Sequence, residues 1–384
     1  MMKGCDNMKL GDCIFEYSQR NKEDKNYPVY SVTNTLGFCQ EYFSKDVSGK
    51  DKTTYKLVPR GYFAYNPSRI NVGSVDWQKS ENCVIVSPLY VVFGLKDTLK
   101  PEYLKYYLKS KPINELIRLS TSGTVRDNLK YSSLEKFPIP VPSIKEQTAI
   151  CSLLDKLSLV IEKKKQQMKE LDNLAQAIFY DMFGDPVENE KGWKVKKMGD
   201  MCNTITKGTT PTTLGYSFAS EGINFVKVES FNDGKIDTSK LTHITKECHD
   251  ALSRSQLDDL DLLVCIAGAT IGKTAVVDKS ILPANTNQAC AIVRLKNKGH
   301  LAYIQNYLMS KFKNDVEQMG KGVAQPNLSL GQMRDLSIPL PPLSLQQSFA
   351  QKVESIERQK ELINQSIREA QTLFDSRMEY YFGE

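Results

Sequence analysis

The chain contains itself twice. "NLKYSSLEKFPIPVPSIKEQ" begins at Asn128, and "NLSLGQMRDLSIPLPPLSLQ" begins 199 residues later at Asn327. The same offset carries Ile139-Pro140-Val141-Pro142 onto Ile338-Pro339-Leu340-Pro341 and Gln147 onto Gln346. It also carries Phe183-Gly184-Asp185 onto Phe382-Gly383-Glu384. "EYLKYYLKS" at Glu102 answers "AYIQNYLMS" at Ala302 with a one-residue slip, and "MKLGD" at Met8 answers "KKMGD" at Lys196. An internal repeat outranks local propensity, because it sets the architecture within which each segment is read. Two copies are too few for a solenoid, so the expectation is a pseudo-twofold within one chain.

After each Pro-rich stretch the pattern turns helical. Ile144 to Phe183 contains neither Pro nor Gly. Ile150, Leu154, Leu157, Ile161, Lys164, Met168, Leu171, Ala175, Ile178 and Met182 step by four and three, a coiled-coil seam. The second copy supplies Phe349, Val353, Ile356, Lys360, Ile363, Ile367, Ala370, Phe374, Arg377 and Tyr381. Each seam carries a lysine, Lys164 and Lys360, and a polar residue there can fix register at a cost in stability. A helix of this length measures about 60 Å. The seams predict that the two helices pair with each other, antiparallel if the repeat is a twofold. Lys163 and Lys165 read as solvated.

The segments before the helices read differently. Val84–Val86, Tyr90–Phe93, Leu262–Ile266 and Ala291–Val293 are short β-branched runs bounded by Gly, Pro and Asn, and predict strands. Helical segments near Tyr103–Tyr107 and Tyr303–Tyr307 follow them. The expected fold is α+β: two tandem globular units related by a pseudo-twofold repeat and separated by two long helices in an antiparallel coiled coil. The divisions are residues 1–143, 144–185, 186–342 and 343–384.

Two motifs mimic catalytic signatures. "AGATIGKT", Ala267 to Thr274, fits a loose phosphate-binding loop. Such a loop needs a strand before it and a helix after it. "DLLVCIA" supplies the strand, but "TAVVDKSILPANTNQ" is β-branched and interrupted by Pro283, so no helix follows. The glycines Gly268 and Gly272 are expected to shape a turn between strands, with Thr270, Lys273 and Thr274 exposed at its tip. "YNPS", Tyr65 to Ser68, resembles the adenine-gripping motif of amino-methyltransferases, but no glycine-rich cofactor loop accompanies it.

Composition limits the remaining classes. A chain of 384 residues suggests two or three folded units at ~150 residues each. No apolar run approaches the ~18 residues of a membrane span, and the N-terminus lacks a signal-peptide core. Nine scattered cysteines and the histidines His243, His249 and His300 show no zinc spacing, so reduced cytoplasmic thiols without metal are expected. A net charge of +6 permits a polyanionic partner without demanding one.

In its duplicated "IPVPSIKEQ" and "IPLPPLSLQQ" segments leading into long helices, the whole chain resembles the specificity subunits of type I restriction–modification systems. "GATIGK" (Gly268 to Lys273), "FAYNPSRINVGSV" (Phe63 to Val75), "NQACAIVRL" (Asn287 to Leu295) and "GVAQPNL" (Gly322 to Leu328) are also similar to patterns of that family. The resemblance implies two target-recognition domains, each reading half of a split site in double-stranded DNA. It implies a non-catalytic, cytoplasmic subunit whose helices hold two methyltransferase subunits and, in the full complex, two restriction/translocase subunits. The methyl donor, ATP and Mg²⁺ would belong to those partners, with no cofactor or metal on this chain and no membrane. Three rival readings remain: a coiled-coil scaffold that binds no DNA, an ATPase built on the AGATIGKT loop, and the specificity subunit of a related methylase without a translocase.

Asn and Gln pair with adenine, Arg and Lys with guanine, and all can hold phosphates. Candidates for DNA contact are Lys56, Arg60, Asn66, Arg69 and Asn71 in the first domain. In the second they are Lys207, Thr209, Thr210, Thr270, Lys273, Asn285 and Asn287. Gln325 stands where the family commonly has Gln, whereas the first half has Arg126, and only the second half carries "KGTTP" at Lys207 to Pro211. The copies therefore differ where bases would be touched, which predicts an asymmetric target. Both heads can face one groove if the half-sites lie about one turn, ~34–36 Å, apart.

Overall fold

In the computed structural model, residues 7–40, 51–121, 128–185, 188–268, 270–319 and 327–383 are described. Two compact units emerge: Met1–Gln167 together with Ile363–Glu384, and Met168–Leu362. Both long helices, Ile144–Phe183 and Leu343–Phe382, are continuous, so each begins in one unit and ends in the other.

Each unit is built on an antiparallel four-stranded sheet of the same connectivity. In the first unit the order is Ile14–Glu16, Val91–Leu95, Phe63–Tyr65, Val75–Trp77. In the second it is Cys202–Lys207, Cys290–Leu295, Leu262–Cys265, Thr274–Val276. The first and last strands of each set pair, and a hairpin completes the sheet. Buried β-branched and aromatic residues explain the pairing: Phe63, Phe93, Val264 and Val293 are 0% exposed.

The duplicated short motifs close each unit. Asn7–Lys9 pairs with Pro138–Pro140, Met8 facing Ile139. Lys194–Lys197 pairs with Ser337–Leu340, Lys196 facing Ile338. These ribbons have two strands each, so the prolines can turn their donor-less nitrogens away from the ladder. The chain thus leaves each globular part beside the point where it entered, and continues into a long helix. A buried glutamine secures that exit. Gln147 Nε2 donates to the carbonyls of Thr98 and Pro142, and its Oε1 accepts from Lys100 N. Gln346 Nε2 donates to Pro341 O and its Oε1 meets His300 Nδ1.

Within each unit the helical segments run antiparallel. In the first, Tyr106 binds Asp155 through its hydroxyl at 2.6 Å and lies 6.3 Å from the Phe374 ring. One turn earlier on the same helix, Tyr103 meets Phe382 at 5.2 Å, and Lys100 holds Gln147. In the second, Asp172 faces Lys360 while Phe179 and Phe183 pack edge-on around Phe349. Phe183 also packs on Tyr303 at 4.8 Å, the counterpart of Phe382 on Tyr103. The repeated Phe-Gly thus ends each long helix in an aromatic pocket of the unit that it enters.

The expected seam residues are buried or half-buried with one exception. Arg377 is exposed, and Met378 packs into the first unit's core instead. The two lysines are not equivalent: the offset places Lys360 opposite Ile161, and Lys360 is 4% exposed whereas Lys164 is half-buried. Lys163 and Lys165 are exposed. No helix of the described residues is long and apolar enough to cross a membrane.

Candidate nucleic-acid interface

Sheet register decides which loops share an end of each unit. In the second, Lys207 faces Ala291, Ala291 faces Val264, and Val264 faces Thr274. The loops that follow Lys207, precede Cys290 and join Cys265 to Thr274 therefore leave the sheet from one edge. Thr209, Thr210, Thr270, Lys273 and Asn287 lie on them, Lys207 ends the strand that leads into the first, and Asn285 lies on the neighbouring strand Ala284–Thr286. In the first unit, Tyr65 faces both Val91 and Val75, so the Asn66–Ser74 connection leaves from the corresponding edge.

The two catalytic lookalikes prove to be one structural element. "AGATIGKT" joins Leu262–Cys265 to Thr274–Val276, and "YNPSRINVGS" joins Phe63–Tyr65 to Val75–Trp77. Gly272 and Gly73, 199 residues apart, both hold φ +85°, a left-handed conformation that suits glycine. Each hairpin is met by the start of the long repeat: Leu129 N donates to Pro67 O, and Leu328 N to Ile266 O. A strand follows the GATIGK turn, and among the described residues no helix N-terminus is offered there to a phosphate.

On the second unit the candidates form a polar cluster. Gly208 lets the Lys207–Thr210 loop lie against residues 286–290: a Cβ there would sit 2.1 Å from Thr286 O. Thr209 N donates to Thr286 O, and Gly208 N to Cys290 O. Thr210 donates its hydroxyl to Gln288 Oε1, and Arg254 donates to Thr209 Oγ1 at 3.1 Å. Asn287 folds back, its Oδ1 accepting from Ala289 N. Lys207, Arg254, Lys273 and Gln288 are exposed around this cluster. Arg254 and Gln288 escaped the sequence reading. Arg254 lies in a short 3-10 turn, brought in by the Gln256–Asn285 bridge, and nothing in its local sequence marks it.

Three placements differ from expectation. Asn285 is 0% exposed, its amide donating to Leu252 O and Ser255 Oγ and its Oδ1 meeting His249 Nδ1, so it braces the fold and presents nothing outward. Thr274 is 3% exposed rather than at the tip, because the first residue of the returning strand faces the core. Thr270 is half-buried, its hydroxyl 3.5 Å from Cys265 Sγ, which leaves Lys273 as the exposed cation of the turn.

The first unit's cluster divides. Arg69 and Asn71 are exposed on the Asn66–Ser74 connection, and Asn66 caps it by accepting from Ser68 N and Oγ. Lys56 reaches the same edge, but its Nζ is spent on Tyr90 O at 2.7 Å, and burial pulls its ammonium pKa down. Arg60 lies at the opposite edge, bound to Ser80 O. Arg126 and Gln325 lie outside the described residues, as do Ala269 and most of "GVAQPNL". Among the described residues no group of three or more His, Cys, Asp or Glu could hold a metal ion.

Comparison with known proteins now bears on this geometry. Residues 2–173 and 190–372 match the family described as the type I restriction modification DNA specificity domain, and the chain belongs to that family, carrying two copies. It is 24% identical over 385 residues to the EcoBI type I restriction enzyme specificity subunit of Escherichia coli, covering 89% of this chain and 80% of that one. It is 26% identical over 289 residues to the MjaIX specificity subunit of Methanocaldococcus jannaschii, covering 68% of this chain and 63% of that protein's length. The fold resembles that of a chain from work on complex assembly and conformational transition of the type I R-M system, with TM-score 0.62, 18% identity and coverage of 99% and 98%. It also resembles the type I restriction–modification S subunit from M. genitalium, with TM-score 0.54, 14% identity and coverage of 100% and 98%.

Proposed function

We propose that the chain reads a two-part, asymmetric site in double-stranded DNA and brings methyltransferase subunits to it, without catalysing a reaction itself. The observation that carries this is the loop edge of each unit. The same sheet presents a Lys207–Thr210/Gln288/Arg254 cluster in one copy and an Arg69/Asn71 turn in the other. Equal scaffolds with unequal tips suit two half-sites of different sequence. The exposed donors suit phosphate positioning and base-edge contact together.

In this reading the long helices carry two methyltransferase subunits and, in a restricting complex, two translocase subunits. The methyl donor, ATP and Mg²⁺ serve those partners, and the assembly works on cytoplasmic DNA. The test is a methylation map. This chain is co-expressed with its methyltransferase subunit in a host lacking adenine methylation, and every modified base is located. A split, asymmetric motif with a fixed unread gap is expected. An assembled complex that modifies nothing would overturn the reading in favour of a scaffold.

A further inference from the structure

Lys360 is a cation where the seam calls for an apolar residue. It is 4% exposed. Its ammonium contacts Asp172 on the first long helix at 2.7 Å, Glu357 on its own helix at 3.1 Å, and Asp233. Asp233 forms the tip of the hairpin Phe231–Asn232/Lys235–Ile236, where it and Gly234 take φ of +49° and +75°. The same hairpin sends Lys235 to Glu357 at 3.0 Å and Glu361 at 3.1 Å. From below, Gln305 of the helix Leu301–Met319 donates to Gly234 O at 2.8 Å. One globular hairpin is therefore tied to the helix pair at two points, the exposed Lys235 on Glu357 and Glu361, and the buried ammonium of Lys360, which alone also reaches the first long helix through Asp172. Burial by itself would pull that ammonium's pKa down; its hydrogen bonds to Asp172 and Asp233 outweigh burial, and the net shift is upward.

The other copy folds without this device. The 199-residue offset turns Lys360 into Ile161, Glu357 into Ser158 and Asp172 into Gln371. That place in the first unit is an open groove of about 270 Å³, lined by Ser158, Ile161, Glu162, Lys165, Gln371 and Phe374. The ion cluster is thus not a requirement of the scaffold. Nor is it the most stabilising filler, since apolar replacement of a buried ion group is often neutral or favourable. What it adds is direction: three carboxylates from three elements converge on one point.

We propose that Lys360 is a positioning residue that fixes the second recognition domain on its helix pair and so sets how strictly the complex measures the unread gap. This rests on the two-headed reading above. Loss of the tie lets the hairpin, and the sheet beside it, tilt on the helices. A half-site displaced by one base pair then becomes reachable.

The test uses the full chain assembled with its methyltransferase subunits. Lys360→Met retains the apolar stem, and Asp172 and Asp233, with side chains 50% and 48% exposed, remain solvated without it. The expected result is an undiminished melting temperature and cognate methylation. Methylation of sites with gaps one base pair longer or shorter rises at least about tenfold over wild type. Asp233→Ala, which removes the hairpin's carboxylate from Lys360 and leaves the Lys235 pairs in place, gives the same shift, and Ile161→Met at the equivalent place gives none. Wild-type gap stringency in an assembled Lys360→Met complex overturns the proposal. If that variant does not assemble, wild-type stringency in Asp233→Ala overturns it equally. A wild-type complex that reads a continuous motif defeats the two-headed reading itself, and this inference with it.

Discussion

Gly208 shows how much one residue decides at the second unit's edge. With a side chain it would collide with Thr286 O, and the threonines of "KGTTP" would not reach Gln288 and Arg254. Gly208→Ala is expected to cost about 1–3 kcal/mol as the loop is pushed off, and to abolish recognition of one half-site while the other is still bound. Thermal melting and binding to isolated half-sites check the two parts. Lys273 behaves differently, because it is exposed at its turn. Lys273→Ala should leave stability unchanged, weaken DNA binding evenly across sequences and lower the salt-dependence slope by about one. Binding titrations at several salt concentrations measure this, and an unchanged slope would remove Lys273 from the phosphate contacts. Asn285 was as plausible as Lys207 from sequence, since burial inside a loop-rich unit leaves no periodic trace.

At the scale of elements, the repeated glutamines explain why the chain turns from a proline-rich strand into a helix at the same place twice. Gln147 and Gln346 are 0% and 1% exposed, and each spans two segments with a donor and an acceptor. Replacing either by leucine leaves a buried carbonyl unpaired and should destabilise its unit by about 1–3 kcal/mol. Denaturant titration of the two variants should show comparable losses; a neutral result would mean that the ribbon alone sets the helix start. The seam periodicity made the long helices legible, since a four–three spacing over so many turns has few other causes. Arg377 fell outside it because the helix end turns Met378 and Phe382 toward the first unit's aromatic pocket. The GATIGK turn between two strands was legible, because a β-branched run and no helix follows it. That both lookalike motifs are the same hairpin emerged from strand pairing, which no local spacing records.

At the scale of the whole molecule, the proposed ruler has a sharp consequence. Adding one base pair to the unread gap displaces the second half-site by ~3.4 Å and rotates it by ~35°. Methylation of such a site by the wild-type complex is expected to be abolished, as measured on synthetic duplexes that differ only in the gap. Retained modification would mean that the heads are not held in fixed relation.

The amino-acid sequence by itself determined the duplication, the two long helices, the α+β character of the units and the family, because these rest on order and period along the chain. Only the tertiary structure decided that each compact unit combines one globular part with the halves of two helices. It alone brought Arg254 to Thr209, buried Asn285 and gathered three carboxylates around Lys360. The reason is physical: apart from Glu357 on the same helix as Lys360, those contacts join residues dozens to more than a hundred positions apart. The pairing register and burial that create them are collective properties of the packed core, not of any segment within it.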